Sequence, residues 1–135
     1  MDTIEISTDK TRLDPDYIQW FLNEHSHWAT NRTRETINKS IENSLCFGAY
    51  INSKQVGFAR VVTDYATFSW VCDVFSDPAH RGKGIGKKLV EAITEHPGVQ
   101  DGLMMLKTKD AHGLYERYGG FGKPRLLERY MERLK

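Results

Sequence analysis

The run Val74-Phe75-Ser76-Asp77-Pro78-Ala79-His80-Arg81-Gly82-Lys83-Gly84-Ile85-Gly86-Lys87-Lys88-Leu89 constrains this chain more than any other segment. It reads as the end of an apolar strand, a basic glycine-rich turn and the opening of a helix. Gly82, Gly84 and Gly86 lack Cβ atoms, so the backbone there takes up unusual dihedrals and lets a ligand approach its N–H groups closely. An apolar stripe of Ile85, Leu89, Ala92 and Ile93 follows at the spacing of a helix with one buried face. The glycines therefore stand at a helix N-terminus. Unpaired N–H donors and the positive end of the helix dipole converge there, which makes it an anion site and in particular a phosphate site. Arg81, Lys83, Lys87 and Lys88 add positive charge around it.

Composition sets the limits within which this turn works. A chain of 135 residues holds one core, and any active site is built on it. With 19 basic and 18 acidic side chains the net charge is +1, so no global field argues for nucleic acid or an anionic membrane as partner. No apolar run approaches the ~20 residues of a membrane span, and Met1-Asp2-Thr3-Ile4-Glu5 lacks the basic start and apolar centre of a signal peptide; a cytoplasmic location is the expectation. Cys46 and Cys72 lie in apolar, strand-like stretches and read as small buried hydrophobes rather than a disulfide. His25 and His27, two residues apart, do not make a zinc set, and no metal is expected.

Along the chain the pattern is α/β, one domain over residues 1–135, with no repeat and no long linker. Ile4 and Ile6 alternate with polar neighbours in a first strand. Asp14-Pro15 opens a helix carrying Tyr17, Ile18, Phe21 and Leu22, and Thr33 opens a second carrying Ile37 and Ile41. Strand-rich runs at Ser44–Ile51 and Gln55–Thr63 flank Asn52-Ser53 as in a hairpin, and a third strand covers about Thr67–Phe75. Leu103–Thr108 is a further apolar run, and Ala111, Leu114, Tyr115 and Tyr118 fall at helical spacing after it. Arg129–Leu134 reads equally as an edge strand or a helical tail.

In the third strand, alternation puts Phe68, Trp70, Cys72 and Val74 on one face and Ser69, Val71, Asp73 and Phe75 on the other. Both faces are mostly apolar, so this strand is central and covered on both sides. Asp73 there needs a partner: it is either satisfied by backbone or an arginine, or it is a catalytic base.

Arg81-Gly82-Lys83-Gly84-Ile85-Gly86, in its strand-turn-helix setting, resembles the R/Q-x-x-G-x-G/A signature of the GNAT superfamily of N-acetyltransferases. Ala111-His112-Gly113-Leu114-Tyr115-Glu116-Arg117-Tyr118-Gly119 looks like that family's later A-x-x-x-Y-E-K-x-G-F segment. The resemblance runs from Leu45 to Phe121. It implies a single-domain fold with a mixed central sheet splayed between two parallel strands, helices on both faces, and acetyl-CoA as co-substrate in the splay.

Carried over by position, the resemblance implies that Gly82, Lys83, Gly84, Ile85, Gly86 and Lys87, with Arg81 before them, hold the pyrophosphate of coenzyme A. Val74, Phe75 and Ser76 would bind the pantetheine arm as an added strand. Tyr115 matches the tyrosine that protonates the leaving thiolate as general acid. The family's frequent glutamate base falls here on Trp70, so deprotonation of the amine would fall to Asp73, to a carboxylate elsewhere such as Asp64, or to a water chain reaching solvent. An amine of pKa near 10 is neutral in ~0.1 percent of molecules at pH 7, so no strong base is mandatory. Gly119-Gly120-Phe121 replaces the usual Gly-Phe, and Thr108 stands where an Asn is common.

The acceptor side of such a fold is formed by Trp20 to Arg34. There Trp28 would cover an amine, and Arg32 or Arg34 would hold a substrate carboxylate. The expected activity is transfer of an acetyl group to a primary amine of a small molecule or peptide by direct attack, with exposed sheet edges pairing two copies as a homodimer. The alternative is a non-catalytic module of the same fold that binds acetyl-CoA or coenzyme A as a sensor.

Overall fold

The structure is a computed structural model that describes residues 3–134. Its centre is a five-stranded sheet in the order β1 (Ile4–Ser7), β2 (Leu45–Ile51), β3 (Lys54–Thr63), β4 (Phe68–Ser76), β5 (Leu103–Leu106). The first four strands pair antiparallel, and β4 and β5 are parallel. The β2–β3 hairpin closes through Asn52 and Ser53, both in the left-handed region (φ 49° and 66°), the twist that a tight two-residue hairpin turn requires.

Helices cover both faces. On one, α1 (Pro15–His25) and α2 (Arg34–Glu42) bury Ile18, Phe21, Leu22 and Ile37 against Cys46, Phe58 and Phe75. Both helices begin where side chains satisfy otherwise orphaned amides: Asp14 accepts from the Tyr17 N–H, and Thr33 from the Thr36 N–H. On the other face α3 (Ile85–Glu95) buries Ile85, Leu89, Val90 and Ile93, and Ile85, Leu89 and Ile93 pack with Phe47, Ala49, Val61 and Val71. After β5, α4 (His112–Gly119) lies beside α3.

Two features of the backbone shape the region where β4 leads into α3. A Cβ at Gly57 of β3 would stand 2.8 Å from Ile85 Cγ2 and 3.0 Å from the Phe75 carbonyl oxygen, so the missing side chain lets the start of α3 settle directly on the sheet. In β4 the register against β3 shifts between Phe58 and Arg60, which face Phe75 and Cys72. One extra residue is accommodated at Asp73, whose φ is +52°. The alternation expected from the sequence therefore breaks: Val71 packs on the α3 side, and Phe75, expected on the same face, packs on the α1–α2 side.

The C-terminal segment is neither of the elements anticipated for Arg129–Leu134. It holds one 3-10 turn at Leu127–Arg129 and otherwise no regular structure, with Met131 96% and Leu134 86% exposed. The second glycine of the pair, just after α4, has a clear use. Gly120 ends the helix at φ +70°, and the Phe121 N–H returns to the Tyr115 carbonyl at 3.2 Å, which sets the Phe121 ring edge-on against Tyr115.

Candidate active site

The parallel pairing of β4 with β5 runs only from Phe68–Leu103 to Val71–Leu106, while β4 continues to Ser76. Beyond Val71 the strands part, and the backbone of 72–76 has no strand partner on that side among the described residues. A cleft of about 650 Å³ occupies the gap. One wall is Trp70 to Val74, the opposite wall is Lys107 to Ala111 with Tyr115, and His27, Trp28 and Arg32 close the end. Residues chosen from the sequence for separate reasons, Trp28, Arg32, Asp73, Val74 and Tyr115, thus meet in one place.

Below the cleft the chain passes from β4 to α3 through an anchored turn. Asp77 donates its N–H to the Val56 carbonyl at 2.8 Å, accepts from the Ala79 N–H at 3.0 Å, and accepts from the Tyr17 hydroxyl at 2.9 Å. Burial and the Asp77 hydrogen bond both push the Tyr17 phenol up, so it stays a donor. Buried Gln55 adds a second tie, accepting from the Asp14 N–H at 2.8 Å and donating to the Gly57 carbonyl at 3.1 Å. Asp77, where the chain enters the turn, is therefore held from α1 and β3 at once.

The turn itself is open. Gly84 caps α3 in a left-handed conformation (φ +83°), and among the described residues the start of the helix has no side-chain cap hydrogen bond. A Cβ at Gly82 or Gly84 would meet nothing within 4 Å. Backbone donors at a helix start with room around them fit a phosphate oxygen. Lys87 lies over the Tyr118 ring at 5.3 Å, and Lys83 Nζ is 3.1 Å from His80 Nδ1, so part of the basic halo is fixed by neighbours.

Asp73 is 4% exposed and fully engaged. Its Oδ2 accepts from Arg32 Nη1 at 2.6 Å and Arg60 Nε at 2.8 Å, and its Oδ1 accepts from Trp28 Nε1 at 2.9 Å. Desolvation pushes this carboxyl up, but the attraction of Arg60 and Arg32 and their hydrogen bonds outweigh it, leaving the group below the usual carboxylate range. An ionised carboxylate held by three donors is a poor proton acceptor. Of the two possibilities open in the sequence, partner-satisfied or base, this geometry favours the first. Arg60, which completes the cluster, was missed in the sequence; its signal was a lone cation inside the apolar run Val56–Val62.

Tyr115 is 8% exposed, and burial pushes its phenol up to about 12. Thr108, at the position of the family's Asn, accepts from the Ala111 N–H at 3.0 Å and so shapes the entry to α4. Cys72 lines the cleft, but burial pushes its thiol up to about 11, unsuited to a nucleophile. Arg34, paired with Arg32 in expectation, is turned away: it pairs with Asp16 and donates from Nε to Gln19 Oε1 at 3.0 Å, both on α1, and does not line the cleft. No group of three or more metal-ligating side chains occurs among the described residues.

Comparison with known proteins agrees with this geometry. Residues 42–119 match the family model described as an acetyltransferase (GNAT) domain. The crystal structure of a GNAT-family protein from Xanthomonas campestris pv. campestris superposes with a TM-score of 0.95 at 42% identity, covering 100% of this chain and 95% of that one. A Gibberella zeae protein assigned as an acetyltransferase is 28% identical over 109 residues, 67% of this chain; the match spans 62% of that relative's length. A Clostridium acetobutylicum protein solved with acetyl-CoA shares the fold, at 13% identity and a TM-score of 0.62 over 97% of this chain and 100% of that one. A splayed β4–β5 pair above an uncapped glycine turn, and a family model matched over both, lead to one conclusion: the chain belongs to the GNAT family of acetyltransferases.

Proposed function

We propose that this protein transfers the acetyl group of acetyl-CoA to an amine by direct attack in a ternary complex. The observation that carries the reading is the cleft in which the open edge of β4, Tyr115 and the Trp28–Arg32 end meet, above a helix start whose amides no side chain caps. The amides of Gly82–Lys87, with Arg81 beside them, would bind the pyrophosphate, and the backbone of Val74, Phe75 and Ser76 would bind the pantetheine amides as an added strand. Bound acetyl-CoA supplies the electrophilic thioester carbonyl and a thiolate leaving group with a pKa near that of a free thiol, ~8.5.

Tyr115 is suited to the leaving-group side of the reaction in a restricted way. With its phenol near 12, full proton transfer to a thiolate near ~8.5 is uphill by roughly 5 kcal/mol, so Tyr115 stabilises the departing sulfur by donating a hydrogen bond. As the N–C bond forms and the C–S bond breaks, the proton lost by the amine balances the one the thiolate finally takes up from solvent. Asp73 acts here as a positioning residue that aims Trp28 and Arg32, not as the base. The cationic surplus around it disfavours an ammonium and so favours the neutral, nucleophilic amine. The test is turnover: thiol release and acetylated product, followed together over a broad panel of primary amines. Transfer to any of them supports the reading. Coenzyme A binding by calorimetry without transfer to any amine would refute it in favour of a sensor.

A further inference from the structure

Two guanidinium groups, Arg32 and Arg60, share the single carboxylate of Asp73, so this cluster carries one positive charge in excess. Arg60 is spent inside the fold, with Nε on Asp73 and Nη1 on the Ser44 hydroxyl at 3.1 Å, and its side chain is only 12% exposed. Arg32 uses Nη1 alone among the described residues, lines the cleft, and is 27% exposed there. Its remaining donors, Nε and Nη2, are left for a ligand. A guanidinium fixed on one side by a buried carboxylate presents the rest of its fork in a set orientation, the arrangement that recognises a second carboxylate. The facing wall does not cancel the surplus: it brings Lys107 and Lys109 against Asp110, with Lys107 loosely paired to Glu132 at 3.8 Å.

Arg32 is bonded to the side chain of Asp73, and Asp73 immediately precedes Val74, where the acyl-carrying arm would lie. A carboxylate on Arg32 would thus lie in the same cleft as Val74 and Tyr115, within reach of an amine a few bonds away on the same small molecule. The indoles of Trp28, steered by its bond to Asp73, and Trp70 offer apolar faces in the same cleft to whatever else the molecule carries. We infer that the acceptor is a small amino carboxylate whose carboxylate is bound by Arg32, with its apolar part against Trp28 and Trp70. The inference rests on the acetyl-transfer reading and narrows it from any amine to this class.

The test pairs acceptors that differ only in that group: L-phenylalanine with L-phenylalaninamide and phenethylamine, and β-alanine with β-alaninamide, assayed with acetyl-CoA on the full chain and on Arg32→Gln and Arg32→Lys. The carboxylates are expected to exceed their neutral partners in kcat/KM by about ten-fold or more, the loss of one charged hydrogen-bonded contact. Arg32→Gln is expected to erase that ratio by raising KM for the carboxylates; the lost positive charge lowers turnover of acids and amides alike and so leaves the ratio as the readout, and Arg32→Lys is expected to keep part of it. Equal turnover of acids and amides by the unmodified protein overturns this inference and leaves acetyl transfer standing; that comparison needs no variant to fold. A preference that survives in Arg32→Gln also overturns it. Coenzyme A binding with no transfer to any acceptor overturns both readings.

Discussion

Replacing Asp73 with asparagine isolates one charge. The two side chains have the same shape, and asparagine tolerates the left-handed φ of +52° as well as aspartate does, so backbone strain is unchanged. What changes is the acceptor count. Aspartate meets three donors, from Trp28, Arg32 and Arg60, with two oxygens, whereas asparagine offers one oxygen and turns an NH₂ toward guanidinium. Removing one member of a buried ion pair costs ~3–5 kcal/mol. Arg32 can rotate partly into water but Arg60 cannot, which argues for the lower end, about 3 kcal/mol. For a domain of this size that lowers Tm by roughly 9–15 °C. The assay is thermal and urea unfolding of both proteins across pH. Because the folded-state pKa of Asp73 lies below its unfolded value of ~3.9, its stabilisation is fully present above pH ~4 and is lost as pH falls through the folded value. The gap between the two proteins should therefore stay constant from about pH 5 to 8 and close on acidification. A variant whose Tm at pH 7 lies within ~3 °C of the parent, or a gap that persists in acid, would refute the buried ion-pair account.

Three further outcomes are expected. Tyr115→Phe should lower kcat by about 10- to 100-fold, the loss of a hydrogen bond to a charged sulfur, with little change in stability. Because burial holds this phenol near 12, it stays protonated, and the ratio of parent to variant rates should be flat from about pH 7 to 10. Gly57→Ala should destabilise the fold by ~1–3 kcal/mol in urea unfolding, since the added carbon meets Ile85 and the Phe75 carbonyl rather than open space. Gly84→Ala meets no steric obstacle, so its cost should be conformational, ~1–2 kcal/mol for a left-handed non-glycine residue, with coenzyme A binding weakened in calorimetry.

Much of the molecule was legible in local pattern. Pro15 behind Asp14, Thr33 before Arg34, and Ile85, Leu89 and Ile93 at helical spacing announced three helices, because caps and apolar periodicity act within a few residues of one another. The position of the glycine turn at the start of α3 and of Tyr115 on a helix after β5 was legible for a related reason: each is set by a contiguous segment. The strand alternation through Asp73 failed because a bulge is decided by the register of two strands, and no property of β4 alone states which residue is surplus.

Local pattern was enough for most of the helices and strands, for a helix start at the glycine turn, and for the membership of Arg81–Gly86 and Ala111–Gly119 in one recognisable pattern. How the charged residues are spent depends on long-range pairing. Arg32 and Arg34 are near neighbours in the chain, yet one reaches Asp73, 41 residues on, and the other is absorbed by Asp16 on α1. Asp73 is engaged by three donors because β3 brings Arg60 beside it and the loop before α2 brings Trp28 and Arg32. A charge's role depends on what faces it across space once water is excluded, and that pairing is written between distant segments rather than in any one of them.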